Sequence, residues 1–502
     1  MKLSSVSSYA ITGIEARPIQ IEVHIANGLP SLSIVGLPEA SVKESKDRVR
    51  SAILNSGFEY PARRITVNLA PADLPKQGAG FDLPIAIGIL HASGQMNCER
   101  LESFALAGEL SLSGQIRPIS GALPMAIQSQ REHRQLILPA ENCAELAVLP
   151  QQNCCAARLL TETCAHLSGD NPLPSPQPTD PPPAAQAPCI SQVRGQPQAR
   201  RALELAAAGG HSLLFEGPPG VGKTMLAARI PGILPPLTTE QAIDVARIYS
   251  VAKLERPDFY SAPFRAPHHT SSSVALVGGG SHPAPGEISL AHCGVLFLDE
   301  LPEFPVKVLE VLRQPIESGE ILISRAAFKS RFPCRFQLIA AMNPCPCGYA
   351  GESRCGCSPD RILRYRNRIS GPVLDRIDMY LKIRRAKPDM LLGTPQQADE
   401  EGSTQIRQRV VACRNRQLER QGVLNSALDA AQLSKLLAEE GELTALAERA
   451  LRNFKLSVRA LHRTLRTAHT IADLAEQPLT ANHFKEALGY RFPDPDDNAL
   501  SI

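Results

Sequence analysis

The sequence contains no tryptophan, and its 14 phenylalanines and 8 tyrosines hold aromatics to 4% of 502 residues. Stacking on bases needs such rings, so base reading is disfavoured and any nucleic-acid contact would track the backbone. An excess of one charge is also missing. With a formal net charge of +3, no global basic field marks a polyanion partner, and any such surface has to be local. No apolar run approaches the roughly 18 residues that span a bilayer. With 43% hydrophobic and 21% charged residues, the expected class is soluble and globular, without a membrane partner. Residues 1–15 carry one lysine and a single short apolar run, Tyr9 to Ile14, which does not support a secretory signal. The expected location is the cytoplasm. A complete disulfide framework is disfavoured too, because 13 cysteines is an odd number and a long chain without a signal favours reduced thiols or metal ligands.

Proline, in contrast, is abundant, and its distribution divides the chain. Residues 171–188 read NPLPSPQPTDPPPAAQAP, a semi-rigid extended linker. At roughly 150 residues per domain, the length suggests about three domains. The expected division is an N-terminal domain over 1–170, the linker 171–188, a core over 189–390 and a helical lid over 391–502. In the N-terminal part, Ile21 to Ile25, Leu32 to Val35 and Ile65 to Leu69 read as strands, and Ala40 to Asn55 and Asp82 to Ser93 as helices, giving an α/β unit. After the linker come a helix (Gln198 to Ala208), a Gly209-Gly210 stop, a strand (Ser212 to Phe215), a glycine loop and a helix from Lys223. Two further apolar strands, Gly294 to Leu298 and Phe336 to Ala341, each deliver polar residues at the carboxyl end, as a parallel sheet does at its ligand crevice. From Gln405 onward the pattern is helical.

The glycine loop is Gly217-Pro218-Pro219-Gly220-Val221-Gly222-Lys223-Thr224, the G-x-x-x-x-G-K-[ST] phosphate loop. Its backbone N–H groups and the following helix N-terminus suit the phosphates of ATP. Lys223 would reach the β and γ phosphates and Thr224 would ligate Mg²⁺. Asp299, at the tip of Val295-Leu296-Phe297-Leu298, would hold the metal, and Glu300 would orient or deprotonate the attacking water. Asn343 would hold that water or sense the γ-phosphate. The residues alone also allow an Asx turn before Pro344.

The loop, the strand GVLFLDE, the strand QLIAAMNP and the box Val193-Arg194-Gly195-Gln196 resemble AAA+ ATPases of the magnesium-chelatase-like branch. More narrowly, residues 264–304, 340–348 (AAMNPCPCG) and 364–378 (RYRNRISGPVLDRID) resemble the ComM/YifB family, and the likeness covers nearly the whole chain. The resemblance implies a hexameric ring with ATP between subunits, completed by a neighbour's arginine. Arg376 stands at the matching position, where a trans arginine would clamp transition-state charge. The residues alone equally allow a surface pair with Asp375 or Asp378. Ser457-Val458-Arg459 resembles the second sensor, a lid arginine on the γ-phosphate, with Arg463 and Arg466 as competitors at helical spacing. Residues 70–84 and 108–124 resemble the Lon-protease-type fold. Gly80 to Asp82 stand where its serine would fall and Leu123-Pro124 about where its lysine would, so a non-proteolytic scaffold is expected. The fold class is therefore α/β: a Lon-like N-terminal domain, a P-loop parallel-sheet core and an α-helical lid.

Cys345-x-Cys347 and Cys355-x-Cys357 bring four thiols into one loop after Asn343, a set suited to tetrahedral Zn²⁺ although the C-x-C pairs are tighter than the commonest spacing. Free thiols in a mobile loop are the alternative. Cys293 and Cys334, beside apolar runs, read as core residues. Arg361, Arg364, Arg366 and Arg368 follow the cluster, and Arg325, Lys329, Arg331 and Arg335 flank an apparent hairpin upstream. Such density neutralises phosphates, or forms a solvated face or inter-subunit ion pairs. His268-His269 and Gly278-Gly279-Gly280 fall where this branch inserts a loop toward the pore. No clear further ligand makes the histidine pair a metal site. Two functions stay open. The family resemblance implies an ATP-dependent helicase driving branch migration of single-stranded or branched DNA in natural transformation. The other function is a chelatase-type or protein-remodelling ATPase that never touches DNA.

Overall fold

In this computed structural model the described residues are 3–37, 39–74, 76, 78–149, 153–176, 187–256, 258–280, 284–325, 328–385, 401–454 and 456–491. The middle of the proline-rich linker and the boundary expected at 390 lie outside them. Among the described residues no helix is long and apolar enough to cross a membrane.

Strand Glu15–Ala26 alternates in burial, with Ile19, Ile21, Val23 and Ile25 on one face. That period of two places one face of a sheet on a core and leaves the other polar. It pairs antiparallel with Leu3–Thr12 on one side and with Arg64–Ala70 on the other. Four parallel pairings extend these to a seven-stranded sheet ordered 31–35, 64–70, 15–26, 3–12, 104–106, 135–139, 154–157. Helix Asp82–Ser93, apolar nearly all round, is buried against that face. The two helices expected in this domain, Ala40–Asn55 and Asp82–Ser93, form over those residues, and the three expected strands lie within the longer strands Glu15–Ala26, Ser31–Val35 and Arg64–Ala70.

The second sheet has five strands, all parallel, in the order Phe264–Arg265, Val295–Leu298, Gln337–Met342, Leu213–Glu216, Met379–Lys382. Its central strands are continuous buried runs because both faces are covered. Leu213, Phe215, Ile339 and Ala341 face one core, shared with helix Pro197–Gly209 and the C-terminal helices. Leu214, Leu296, Leu338 and Ala340 face the other, closed by Phe304, Leu309 and Phe332.

The C-terminal region is helical: Ser403–Gln421, Ala430–Glu439, Gly441–Asn453, Val458–Leu474 and Ala481–Gly489. Helix Val458–Leu474 starts where the Ser457 side chain accepts from the Ala460 N–H, and its apolar stripe, Leu461, Leu465, Ala468 and Ile471, enters the first core. The N-terminal domain is joined to the core through helix Thr239–Ala252. Val245, Ile248 and Tyr249 of that helix pack with Tyr9, Leu123 and Leu136, and Arg247 donates to the Ile14 carbonyl at 3.0 Å.

At the Lon-like turn, Asp82 is fully buried, bonded by Arg48 at 2.7 Å and by the Leu110 N–H at 3.2 Å, with Ser45 as a third partner. Leu123 is fully buried in a helix, and neither position presents a serine or a lysine.

Candidate nucleotide site

Three strand ends of the parallel sheet meet the phosphate loop. The loop leaves strand Leu213–Glu216 and turns through Gly220 (φ 80°) and Gly222 (φ 89°), a backbone that residues with a Cβ rarely adopt. It then enters helix Lys223–Ala227. The Gly217 N–H is bonded to the Met342 carbonyl at 3.2 Å, which ties the loop to the neighbouring strand. Lys223 is buried, and its ammonium donates to the carbonyls of Gly217 (2.6 Å) and Pro218 (3.0 Å) and to Asn343 Oδ1 (3.0 Å). Burial pushes its pKa down, against the opposing pull of Asp299, Glu300 and Glu216.

Thr224 Oγ1 donates to Asp299 Oδ2 at 2.5 Å, and Asp299 Oδ1 accepts from the Glu300 N–H at 2.9 Å. Glu300 has a left-handed backbone (φ 52°), uncommon for a residue with a side chain, directly at the end of strand Val295–Leu298. Its Oε2 lies 3.2 Å from His269 Nδ1, and the rings of His268 and His269 are 4.1 Å apart. Lys223, Thr224, Asp299, Glu300 and Asn343 therefore converge, and the sequence reading missed His269 as their sixth member. The signal that places it there is a two-residue strand, Phe264–Arg265, parallel to Val295–Leu296. A strand that short leaves no periodicity to read.

Below the loop, Glu216 is buried at the end of its strand and paired with Arg366 at 2.8 Å. Tyr365 is buried behind Asn343, hydrogen-bonded to its backbone. Burial, helped by Glu303, pushes the phenol well above its ordinary range.

The four cysteines come together: each pair of their sulfurs lies within 4.8 Å. Cys345 and Cys347 Sγ are 3.3 Å apart, Cys347 and Cys355 3.6 Å, Cys345 and Cys355 3.9 Å. Cys334 is buried as expected, and Cys293, half-buried in a left-handed turn, packs against the core that joins the N-terminal domain.

The arginines divide. Arg376 lies apart from the loop on a short helical turn, donating to the Pro372 carbonyl (2.6 Å) and to Glu317 (2.5 Å). Neither Asp375 nor Asp378 is its partner. Asp378 instead takes Arg463 at 2.8 Å, and Arg466 holds the Leu428 carbonyl at 3.0 Å, so both competitors have other partners. Arg459 is exposed in the first turn of its helix. Arg366 and Arg368 are paired with Glu216 and Glu303, each at 2.8 Å, while Arg361 and Arg364 are exposed on helix Pro359–Arg366. The hairpin is Glu320–Arg325 against Phe328–Pro333. Arg331 and Arg335 are exposed, and the side chains of Arg325 and Lys329 lie outside the described part.

A five-stranded parallel sheet with a lysine loop on one strand, an Asp-Glu pair on the next but one and a helical lid against the same core is the architecture of the AAA+ ATPases. Family models match in three segments: subunit ChlI of Mg-chelatase over 21–142, magnesium chelatase subunit ChlI over 189–391, and its C-terminal region over 400–491. The chain is 48% identical over 497 residues to YifB of Escherichia coli K12, covering 98% of each chain. It is 47% identical over 501 residues to the competence protein ComM of Haemophilus influenzae, again covering 98% of each. It is also 26% identical over 148 residues, 26% of each chain, to Lon protease 2 of Bacillus subtilis. The chain belongs to the ComM/YifB family of magnesium-chelatase-like AAA+ proteins.

Proposed function

We propose that this protein is the subunit of a hexameric ATP-driven motor acting on single-stranded or branched DNA, as a helicase or branch-migration enzyme in transformation or recombination. The observation that carries the reading is the continuity of residues 343–366. One segment runs from Asn343, bonded to Lys223, through the four-cysteine loop to the exposed Arg361 and Arg364. A change at the phosphates would be felt at a surface suited to a phosphodiester backbone. The competence name of a relative 47% identical over its length supports the same reading.

In this account Gly217, Pro218, Pro219, Gly220, Val221, Gly222 and Lys223 hold the ATP phosphates. The Thr224 hydroxyl and Asp299 carboxylate, already 2.5 Å apart, are hard oxygen donors that fit Mg²⁺, which would neutralise phosphate charge there. Glu300 holds the attacking water, with Asn343 beside Lys223 at the γ-phosphate. Arg459 serves the same subunit's nucleotide and Arg376 the neighbour's. The four cysteines hold Zn²⁺. Arg325, Lys329, Arg331, Arg361 and Arg364 contact DNA, with Arg366 and Arg368 at the margin.

The test is hydrolysis and DNA binding by the full chain with ATP and Mg²⁺. Forked or single-stranded DNA should bind, more weakly as salt rises, and should stimulate phosphate release. Hydrolysis that ignores DNA, with no binding at moderate salt, overturns the motor reading in favour of protein remodelling.

A further inference from the structure

The four-thiol loop touches the phosphate loop. Gly348 lies between the two cysteine pairs in a left-handed turn (φ 85°), with its N–H on the Cys345 carbonyl at 2.9 Å. Its α-carbon is pressed on Pro219. A Cβ there would stand 2.6 Å from Pro219 Cδ, closer than real contacts allow. Cys345, at the root of the same turn, is fully buried and two residues from Asn343, whose Oδ1 accepts from Lys223. One small loop thus abuts the phosphate loop at Pro219 and is joined through Asn343 to its lysine.

The geometry at the sulfurs is that of a metal centre. A disulfide requires sulfurs about 2.05 Å apart, whereas the three pairs among Cys345, Cys347 and Cys355 lie at 3.3, 3.6 and 3.9 Å. Four sulfurs at about 2.3 Å from a tetrahedral zinc are separated by about 3.8 Å, which these distances bracket. The loop has little else to hold it. Cys345 is its one fully buried cysteine, and its other fixings include two turn hydrogen bonds, Glu352 N–H to the Tyr349 carbonyl and Cys355 N–H to the Glu352 carbonyl, the Arg354 guanidinium 3.8 Å over the Tyr349 ring and the Glu352 carboxylate shared by Arg354 and Arg385. The ring contact and the two ion pairs lie on the far side of Gly348 from Asn343. A long polar loop without a core takes its shape from the metal.

We infer that zinc in the Cys345, Cys347, Cys355 and Cys357 centre clamps the phosphate loop through Gly348 and Asn343, so that metal occupancy sets the affinity for nucleotide. The inference rests on the proposed nucleotide and zinc sites and adds a coupling between them. Zinc holds Gly348 against Pro219 and fixes Asn343 beside Lys223. Without zinc the turn relaxes, the loop samples more conformations, and binding has to order it again.

The full-length protein tests this with three readouts: zinc per chain by elemental analysis, binding of fluorescent mant-ADP with Mg²⁺, and the melting temperature. The wild type should carry one zinc per chain. Cys347→Ser, at an exposed position, should lose it and weaken mant-ADP binding about ten-fold, the effect of losing one constraint on a charged hydrogen bond. Gly348→Ala should keep its zinc yet bind mant-ADP several-fold more weakly through its clash with Pro219, and wild type stripped of zinc by a chelator should weaken as Cys347→Ser does and recover when zinc is restored, which a merely structural centre would not produce. The chelated wild type keeps the clamp testable even if the cysteine variant misfolds. Zinc-free protein, or Gly348→Ala, with affinity within two-fold of wild type overturns the clamp while leaving the nucleotide site standing. Zinc-loaded wild type that binds no mant-ADP overturns the nucleotide site and the clamp together.

Discussion

His269 Nδ1 stands 3.2 Å from Glu300 Oε2, and the two residues arrive there from adjacent parallel strands. Glu300 is the residue proposed to hold the attacking water, and its backbone is already in a left-handed turn. If Glu300 has that role, the histidine would position it by limiting where the carboxylate points. His269 lies in the segment between the phosphate loop and the Asp-Glu strand, so movement of that segment would shift the carboxylate.

His269→Ala should lower the turnover of ATP by about three- to ten-fold, the range for one partly exposed contact to a charge. Mant-ADP affinity should stay within two-fold. His269→Asn, whose amide N–H stands about where Nδ1 does, should recover most of the turnover. Equal losses in both variants, or loss of nucleotide affinity, would make the contact structural only.

Lys223→Ala removes the ammonium that Gly217, Pro218 and Asn343 share, and nucleotide binding should be lost. Glu300→Gln keeps the side-chain shape and removes the base. Turnover should fall at least about a hundred-fold while binding survives. Either variant hydrolysing ATP at the wild-type rate would refute the roles assigned here.

Much of this site was legible in the sequence because its chemistry lies at the ends of apolar runs. Val295–Leu298 delivers Asp299 and Glu300, and Gln337–Met342 delivers Asn343, since strands buried on both faces are recognisable as continuous hydrophobic stretches. Lys223 and Thr224 carry their own spacing pattern. His269 escaped because the strand that leads to it is two residues long, and the pairing of Glu216 with Arg366 escaped because the residues are 150 apart. The same distance effect hid the partner of Arg376: local sequence offered Asp375 and Asp378, whereas Glu317 comes from 59 residues upstream. No local spacing announces the contact of Gly348 with Pro219, which depends on how one loop folds over another.

Arg376 is held by Glu317 within its own chain, on a side chain that is 10% exposed. A role for it in a neighbour's site requires that this pair open on assembly. Arg376→Ala should then cut hydrolysis by about a thousand-fold in the assembled ring, and Glu300→Gln should do so independently. Mixing the two inactive proteins should restore part of the activity, because some interfaces would combine an intact Glu300 with an intact Arg376. Mixtures that exchange subunits and stay inactive would place Arg376 in cis or outside the site.

Acid should loosen the molecule through histidines that are buried neutral. His211 joins the lid by bonding Thr470 at 2.7 Å, His292 accepts from the Arg335 N–H at 3.0 Å, and His469 is buried in the lid helix. Burial pushes each pKa down to about 4 from the ordinary 6.5. Between those two values the unfolded chain binds protons that the folded chain refuses, so stability is complete above about pH 6.5 and falls as the pH drops toward about 4. Each histidine contributes up to about 1.4 kcal/mol per pH unit inside that window. Urea midpoints should therefore drop between about pH 7 and pH 5. His211→Gln, which can still reach Thr470, should make the slope shallower by close to one proton's worth. A midpoint that does not move over that interval, or a glutamine variant with the wild-type slope, would show that these rings are protonated in the folded protein and that the lid does not depend on a neutral His211.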